Sequence, residues 1–325
     1  GERAYEDLLT EATLVTPNRD EAAVLTGIEP TDPVAAREAG QQLLAMGADA
    51  ALVKGGHGDG DSLVDVLVTG EDSQAFDHPH VATDATHGSG CALSAAITAR
   101  LATGEDLQPA VEHAIQFMQR AIRYPLDVGQ GAGVVNPMVA VLDRAEREVV
   151  AAEVAALVDD LIDRDAAALL PEVGMNVVGA TPYAESVAET LAVEGRIRRT
   201  LDGVAVARGV RAGASSHMAR FLLSAREFVP QFQFAANVCN DEATRSGLAA
   251  LDGSVATTDR TQEPADASTM NWSAREVYGD LEDDEPPVAV TDGGDLGKEP
   301  MIRLLARDAE TLADRLGTVI RAARA

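Results

Sequence analysis

Short apolar runs that stop at glycine or proline alternate along this chain with longer stretches whose apolar residues recur every three or four positions. The first pattern is that of buried strands and the second that of amphipathic helices. Residues 6–9 read as the end of a helix, and the run over 12–16 as a short buried strand entering Pro17-Asn18. Asn18 opens a helix that Gly27 closes, and Asp32-Pro33 opens another that reaches Met46. Residues 50–54 form a strand broken by Gly55-Gly56-His57, with further strands over 63–68 and 74–76. Helices follow over 92–102 and 107–122. Strands and helices alternating through short loops predict an α/β fold with a doubly wound sheet.

The second half has a different rhythm. A glycine-rich loop over 129–137 is the candidate boundary, giving domains over 1–140 and 141–325. Residues 142–165 carry apolar positions three and four apart among Ala, Glu and Asp, an amphipathic helix. Strands are expected over 176–178, 204–206 and 231–238, with an apolar segment over 186–193. The small-residue turn over 212–216 leads into a helix reaching Ser224.

Composition narrows the classes. The core must be aliphatic, because 46% of residues are hydrophobic but only 3% aromatic. The sequence has no apolar stretch of about 18 residues and shows no signal peptide, so nothing argues for a membrane span or export, and a cytoplasmic setting is expected. Cys91 and Cys239 cannot build a secreted disulfide framework. A formal net charge of -27 opposes binding to nucleic acid or anionic membrane. The two lysines, Lys54 and Lys298, stand out against this background, every other fixed cation being Arg. An acid-rich, lysine-poor surface resembles proteins of salt-loving organisms, in which high salt screens the repulsion.

Candidate chemistry begins at Thr86-His87-Gly88-Ser89-Gly90-Cys91. Glycines ahead of a helix start let the backbone approach an anion, and the unpaired N–H groups point toward it. Cys91 at that start lies where a thiolate is favoured, although a glycine turn with an ordinary cysteine fits the same residues. Lys54 ends a strand before two glycines and suits either a phosphate contact or a solvated turn. Asn18 and Glu21 lie three apart at a strand's C-terminal edge, a spacing that fits a metal's water shell near phosphate and equally a capping box.

Thr16-Pro17-Asn18-x-x-Glu21, Val53-Lys54-Gly55-Gly56-His57, Thr86 to Ala95 and Val134-Val135-Asn136-Pro137 together resemble hydroxymethylpyrimidine/phosphomethylpyrimidine kinases of the ribokinase-like superfamily, over about residues 1–136. The resemblance implies a turn, Gly88-Ser89-Gly90, that holds the transferred phosphoryl group, catalytic roles for Lys54 and Cys91, and assistance to Mg-ATP from Asn18 and Glu21. Ser89 stands where that family usually has Thr. The family's first half, with most of its pyrimidine pocket, has no counterpart, so the chain is expected to be part of a longer product with an incomplete kinase portion.

In the second half, Ser215, Ser216, His217 and Arg220 gather at a helix start, Arg196 lies upstream, and Asn237, Asp292 and Lys298 sit near glycine turns. A structural histidine and an anion pocket both fit His217. Val193-Glu194-Gly195-Arg196-Ile197, Gly213 to Arg220, Asn237 and Asp292-Gly293-Gly294-x-x-Gly297-Lys298-Glu299-Pro300-Met301 resemble the archaeal-type thiamine-phosphate synthase domain, over about residues 148–325. That resemblance implies that Arg196 and His217 are needed for coupling hydroxymethylpyrimidine diphosphate to a thiazole phosphate. Mg²⁺ and ATP are the expected cofactor and co-substrate, phosphorylated pyrimidine and thiazole compounds the expected ligands, and a homo-oligomer the expected assembly. The metal's protein ligands are not identifiable from sequence. A ligand-sensing domain without catalysis is the alternative, though it calls for a DNA-binding partner and the chain has no visible basic helix-turn-helix.

Overall fold

A computed structural model describes residues 8–55, 62–70, 72–128, 130, 131, 133–201, 203–264, 268–279, 281, 285–295 and 298–324. Gly56, His57 and Gly297 of the motifs above, and the start of the helix end expected over 6–9, lie outside the described residues. The chain forms two compact units, residues 1–139 and 140–325.

In the first unit, α1 (Arg19–Thr26) is capped by Asn18 and ends on Gly27, whose φ of 72° a side chain would resist. Helix α2 (Pro33–Ala45) starts where Asp32 accepts the N–H groups of Val34 and Ala35, each at 2.9 Å. Beyond it lies β1 (Ala50–Val53), and Val15 bridges to β1 in parallel. The N–H of Lys54 reaches Pro17 O at 2.9 Å, so both C-terminal strand ends arrive at one edge. Strands β2 (Ser62–Thr69) and β3 (Asp72–Pro79) complete a sheet in the order β1-β2-β3.

Alternation along β1 decides the layers. Ala50 and Leu52 pack with α3 (Ser89–Ala102) and α4 (Leu107–Arg123), whereas Ala51 and Val53 pack with α1 and α2. Helices thus cover both faces, as the sequence predicts. The pairing of β2 and β3 is antiparallel because Thr69 stands opposite Asp72, and a two-residue connection allows nothing else.

Helix α5 (Val139–Asp163) leads into the second unit. Its strands are β4 (Val177–Gly179), β5 (Leu191–Val193), β6 (Ile197–Thr200), β7 (Gly203–Val206), β8 (Val210–Ala212), β9 (Phe234–Cys239), β10 (Val255–Thr258), β11 (Ala289–Asp292) and β12 (Met301–Ala306). Seven of them form one sheet in the order β10-β11-β12-β9-β4-β5-β8, and β6 pairs with β7 alone. Only the β10–β11 pairing in the large sheet is parallel. The helices are α6 (Ser216–Arg226), α7 (Glu242–Leu248), α8 (Thr269–Tyr278) and α9 (Ala309–Ala323). The strand expected over 231–238 begins only at Phe234, and the segment over 186–193 divides into a 3-10 turn and β5.

Each strand again serves two cores. Ile302, Leu304 and Ala306 join Ala236 and Val238 under α5 and α9, while Leu305 joins Ala235, Val178 and Val290 under α6 and α8. Gly179 lets α5 lie flush on the sheet, since a Cβ there would come within 2.6 Å of Val150 Cγ1 and 2.8 Å of Phe234 Cε1. No helix among the described residues is long and apolar enough to cross a membrane. Replacing Gly179 by Ala overpacks this contact and is expected to destabilise the second unit by about 1–3 kcal/mol, read as a lower thermal midpoint.

A second expectation comes from the first unit. The buried Asp65 carboxylate accepts the Gly55 N–H at 2.8 Å and faces His78 Nε2 at 3.1 Å, while Gln119 Nε2 lies 2.8 Å from His78 Nδ1. Burial alone lowers the pKa of His78, but its hydrogen bond to Asp65 and that carboxylate's charge outweigh it, with Pro79 and Asp77 adding to the net rise. A raised folded pKa stabilises fully below the unfolded value and is lost as pH climbs through the folded one. Thermal stability should therefore fall as pH is raised above about 6.5, and His78→Asn should flatten that segment of the profile.

Candidate active site

The glycine turn ahead of α3 is built by the junction of three segments. Gly88 caps α3 with φ 84°, a left-handed conformation that suits glycine, and Ser89 N–H turns back to Thr86 O at 3.1 Å. Ala92 N–H makes the first bond to Gly88 O, so Gly90 and Cys91 carry N–H groups without an intrahelical acceptor. A Cβ placed on Gly90 would sit 3.3 Å from Lys54 Nζ, which puts the ammonium against the loop backbone. Thr16 Oγ1 and Ser94 Oγ, 3.0 Å apart, join the first strand end to α3. Cys91 is exposed at this helix start. Asn18 and Glu21 form a reciprocal capping box, both bonds 2.8 Å, which is the purely structural of the two arrangements their spacing allows.

The second unit holds a cavity of about 520 Å³ at the polar end of its sheet. Arg196, Ser215, Ser216, His217, Asn237 and Lys298 all line it, although they come from widely separated segments. The sheet's period places them. On the face shared by α6 and α8, the row that is apolar at Ala235 and Leu305 becomes polar at Asn237 and Arg303, directly opposite each other. Ser215 and Ser216 then start α6 over this end, aiming its N-terminal N–H groups and positive dipole end into the cavity beside His217.

Arg196 is held in an unusual backbone state. Its φ is 68°, and it follows Gly195 at 85° in the turn between β5 and β6. The guanidinium donates from Nη1 to Val173 O, and the stem rests on Gly174, where a Cβ would lie 3.3 Å from both Arg196 Cβ and Cδ. Glu299 fixes the same rim by accepting the N–H groups of Glu172 at 2.9 Å and Val173 at 3.3 Å.

At the floor lie two arginines that the sequence reading does not anticipate, Arg260 and Arg303, with Arg198 and Thr269 as further lining residues. Arg303 is only 3% exposed, and its Nη2 lies 2.9 Å from Asp292 Oδ2 as an ion pair off the hydrogen-bond axis. Arg260 Nη1 lies 3.7 Å from Asp292 Oδ1, and its Nη2 donates to Glu263 at 3.4 Å. Burial pulls the Arg303 pKa down, and the charge and closeness of Asp292 resist it. A guanidinium keeps its proton in proteins, so Arg303 stays charged.

Not every expected residue reaches the cavity. Arg220 is exposed on α6 and does not line it, because that helix buries Met218, Ala219 and Leu222 and turns Arg220 to solvent. Asp292 stands one layer behind the lining, paired with the arginines. Asn237 lines the cavity with its polar atoms already committed, Oδ1 to the Asn176 N–H at 2.8 Å and Nδ2 to Gly174 O at 3.3 Å. The missed signal for Arg303 is an arginine inside the apolar run Met301-Ile302-Arg303-Leu304-Leu305-Ala306. Among the described residues Glu299 is the single carboxylate on the lining, and there is no cluster of three His, Cys, Asp or Glu that could cage a metal.

Comparison with known proteins follows the same division. A family model described as thiamine-phosphate synthase ThiN matches residues 153–318, and one described as phosphomethylpyrimidine kinase matches residues 2–136. The bifunctional thiamine biosynthesis protein ThiDN of Methanocaldococcus jannaschii is 30% identical over 312 residues, covering 94% of this chain and 67% of its own length. The hydroxymethylpyrimidine/phosphomethylpyrimidine kinase of Haemophilus influenzae is 41% identical over 135 residues, covering 40% of this chain. The chain spans about half the length of such kinases. Among solved structures, the C-terminal domain of a phosphomethylpyrimidine kinase matches with a TM-score of 0.51 at 26% identity, covering 54% of this chain and 100% of that one.

The electrostatics of the cavity floor generate a stability expectation. Replacing Asp292 by Ala leaves two buried guanidiniums short of their shared carboxylate and should destabilise the second unit by about 3–5 kcal/mol in chemical denaturation.

Proposed function

Because this chain belongs to the ThiDN family of bifunctional thiamine biosynthesis proteins, with a kinase domain followed by a thiamine-phosphate synthase domain, we propose that the second unit couples hydroxymethylpyrimidine diphosphate to a thiazole phosphate in the cavity described above. The observation that carries this reading is the convergence of Arg196, His217 and Lys298 on one polar cavity. The thiazole nitrogen's lone pair forms a C–N bond to the methylene carbon of the pyrimidine. The C–O bond to the diphosphate breaks and its electron pair leaves with the diphosphate oxygen. The products are thiamine monophosphate and pyrophosphate, and no proton must change hands.

The protein's task is then to stabilise charge that builds on the leaving group. Arg196 and Lys298 supply fixed positive charge, Ser215, Ser216 and the α6 N-terminus supply donors, and His217 donates a hydrogen bond to a phosphate oxygen. Mg²⁺ neutralises diphosphate when bound. With Glu299 the one lining carboxylate among the described residues, it would be carried mainly by the substrate's own oxygens.

For the first unit we read Lys54, Gly88, Ser89, Gly90 and Cys91 as the phosphoryl-transfer end of a kinase acting on hydroxymethylpyrimidine or its phosphate. The loop N–H groups and Lys54 would hold the moving phosphoryl group, and Cys91 would stand at the base position. Asn18 and Glu21 would reach Mg-ATP by releasing their capping box. A sensing domain without catalysis is disfavoured, since the relative matching 94% of this chain is named for biosynthesis.

The test is direct. Purified chain mixed with both phosphorylated precursors should yield thiamine monophosphate and pyrophosphate. Arg196→Ala or His217→Ala should lower kcat by about 10²–10³ with the thermal midpoint little changed. Turnover near wild type in either variant would overturn the assignment.

A further inference from the structure

The cavity of the second unit contains two cationic sets of different character. The outer set, Arg196, Arg198, Lys298 and His217, has exposed side chains at the rim. The inner set, Arg260 and Arg303, is nearly enclosed, with side chains 7% and 4% exposed. Two carboxylates, Asp292 and Glu263, balance the two inner guanidiniums, so the floor carries no net charge.

Balance of charge does not exhaust the donors. Arg303 Nη1 and Arg260 Nε are buried with no hydrogen-bond partner, and both residues line the cavity. A buried N–H without an acceptor costs about 1–3 kcal/mol, a cost that an incoming oxyanion removes. Glu263 is committed to Arg260 and Thr269, and Asp292 Oδ2, itself without a hydrogen-bond partner, faces Arg303 Nη2 rather than Nη1. Phe221 lies under the Arg303 guanidinium at 5.3 Å and restricts its plane, which leaves a fixed fork rather than a mobile charge.

We propose that Arg303 and Arg260 form a second, inner anion subsite that takes the phosphate monoester of the thiazole substrate, leaving the rim to the diphosphate. This inference rests on the coupling reaction proposed above. The division follows from chemistry. Pyrophosphate is the more highly charged group and must depart, so it belongs with exposed, uncompensated cations. The monoester remains covalently part of the product through the reaction and gains nothing from becoming a better leaving group. A neutral floor with directed N–H donors holds it without pulling on the breaking bond. Thus Arg303 serves substrate positioning and selectivity, while Arg196 serves the leaving group.

The decisive experiment separates binding from turnover. Methyl phosphate and inorganic pyrophosphate are titrated calorimetrically into the full chain and its variants. Arg303→Lys keeps the charge but loses the fork, and should weaken methyl phosphate tenfold or more while leaving pyrophosphate within about twofold. Arg196→Ala should do the reverse. In steady state Arg303→Lys should raise the KM for the thiazole phosphate with little change in kcat or in the KM for the pyrimidine diphosphate. Unchanged methyl phosphate binding, or equal loss of both anions, overturns the subsite. Should the variant fail to fold, the Arg303 guanidinium resonances of the wild-type chain give the same reading: they must shift with methyl phosphate and not with pyrophosphate. If the anions partition as expected but no thiamine monophosphate forms, the subsite stands and the coupling reaction falls.

Discussion

The second unit depends on keeping a guanidinium charged beneath a β-sheet. Taking one such ion out of water costs several kcal/mol even after relaxation, and Asp292 beside Arg303 is what offsets it. Asp292 is itself fixed, its Oδ1 accepting the Gly294 N–H at 2.9 Å and its backbone oxygen accepting from Asn240 at 2.7 Å. Gly294 must be glycine, since its φ is 72° and a Cβ would stand 2.5 Å from Lys298 O. That turn delivers Lys298 and Glu299 to the rim; Glu299 holds the backbone of Glu172 and Val173, and Val173 O holds Arg196. One ion pair at the floor is thereby linked through backbone contacts to the cation at the mouth.

On the proposed reading, the two units would bind anions in different ways. The first uses backbone: a glycine-capped helix start, whose N–H groups need no counter-ion, plus a single ammonium from Lys54 lying against Gly90. The second uses side chains, and has to balance every buried guanidinium with a carboxylate. The long-range field of a chain with net charge -27 opposes phosphate ligands in both cases, so attraction must be local and short-ranged. Enclosure answers that need at the cavity floor, where the Arg260 and Arg303 side chains are shielded from solvent.

Much of this was readable from residue order, for physical reasons that also mark where reading stops. Periodicity located β1, β2, the helices from α1 to α5 and the start of α6, because their apolar positions recur at strand or helix spacing, and a cap and a glycine stop sharpen ends such as those of α1. Strands β6, β8 and β10 to β12 and helices α7 to α9 went unread: the strands are short, and their burial is decided by neighbours distant in sequence. Arg196, His217 and Lys298 were legible through motifs dense in glycine and hydroxyl residues. Arg260 was not, since it lies in an exposed-looking, acid-rich stretch and acquires its role only when β10 pairs with β11 and carries it to the cavity floor. Arg220 misled for the opposite reason. Motif proximity suggested a ligand contact, yet the rotation of α6 that buries Met218 and Ala219 leaves it outward. The antiparallel pairing of β2 with β3 follows from their two-residue connection.

Arg196 sits against its local backbone preference. A left-handed conformation costs an L-residue about 1–2 kcal/mol, and the turn at 195–196 imposes it on a residue with a long side chain next to a glycine that already accepts it. Glycine or asparagine at 196 would suit the backbone better. The arginine is nevertheless accommodated: Gly174 gives up its own Cβ to seat the stem, and Val173 turns a carbonyl to fix one guanidinium nitrogen. The remaining guanidinium donors are then presented to the cavity from a backbone with few alternatives. Such strain persists only where surrounding structure overdetermines it, and here the overdetermining contacts are those that form the cavity rim. The turn between β5 and β6 therefore makes sense as a device for aiming one cation, and makes little sense as a connection chosen for stability.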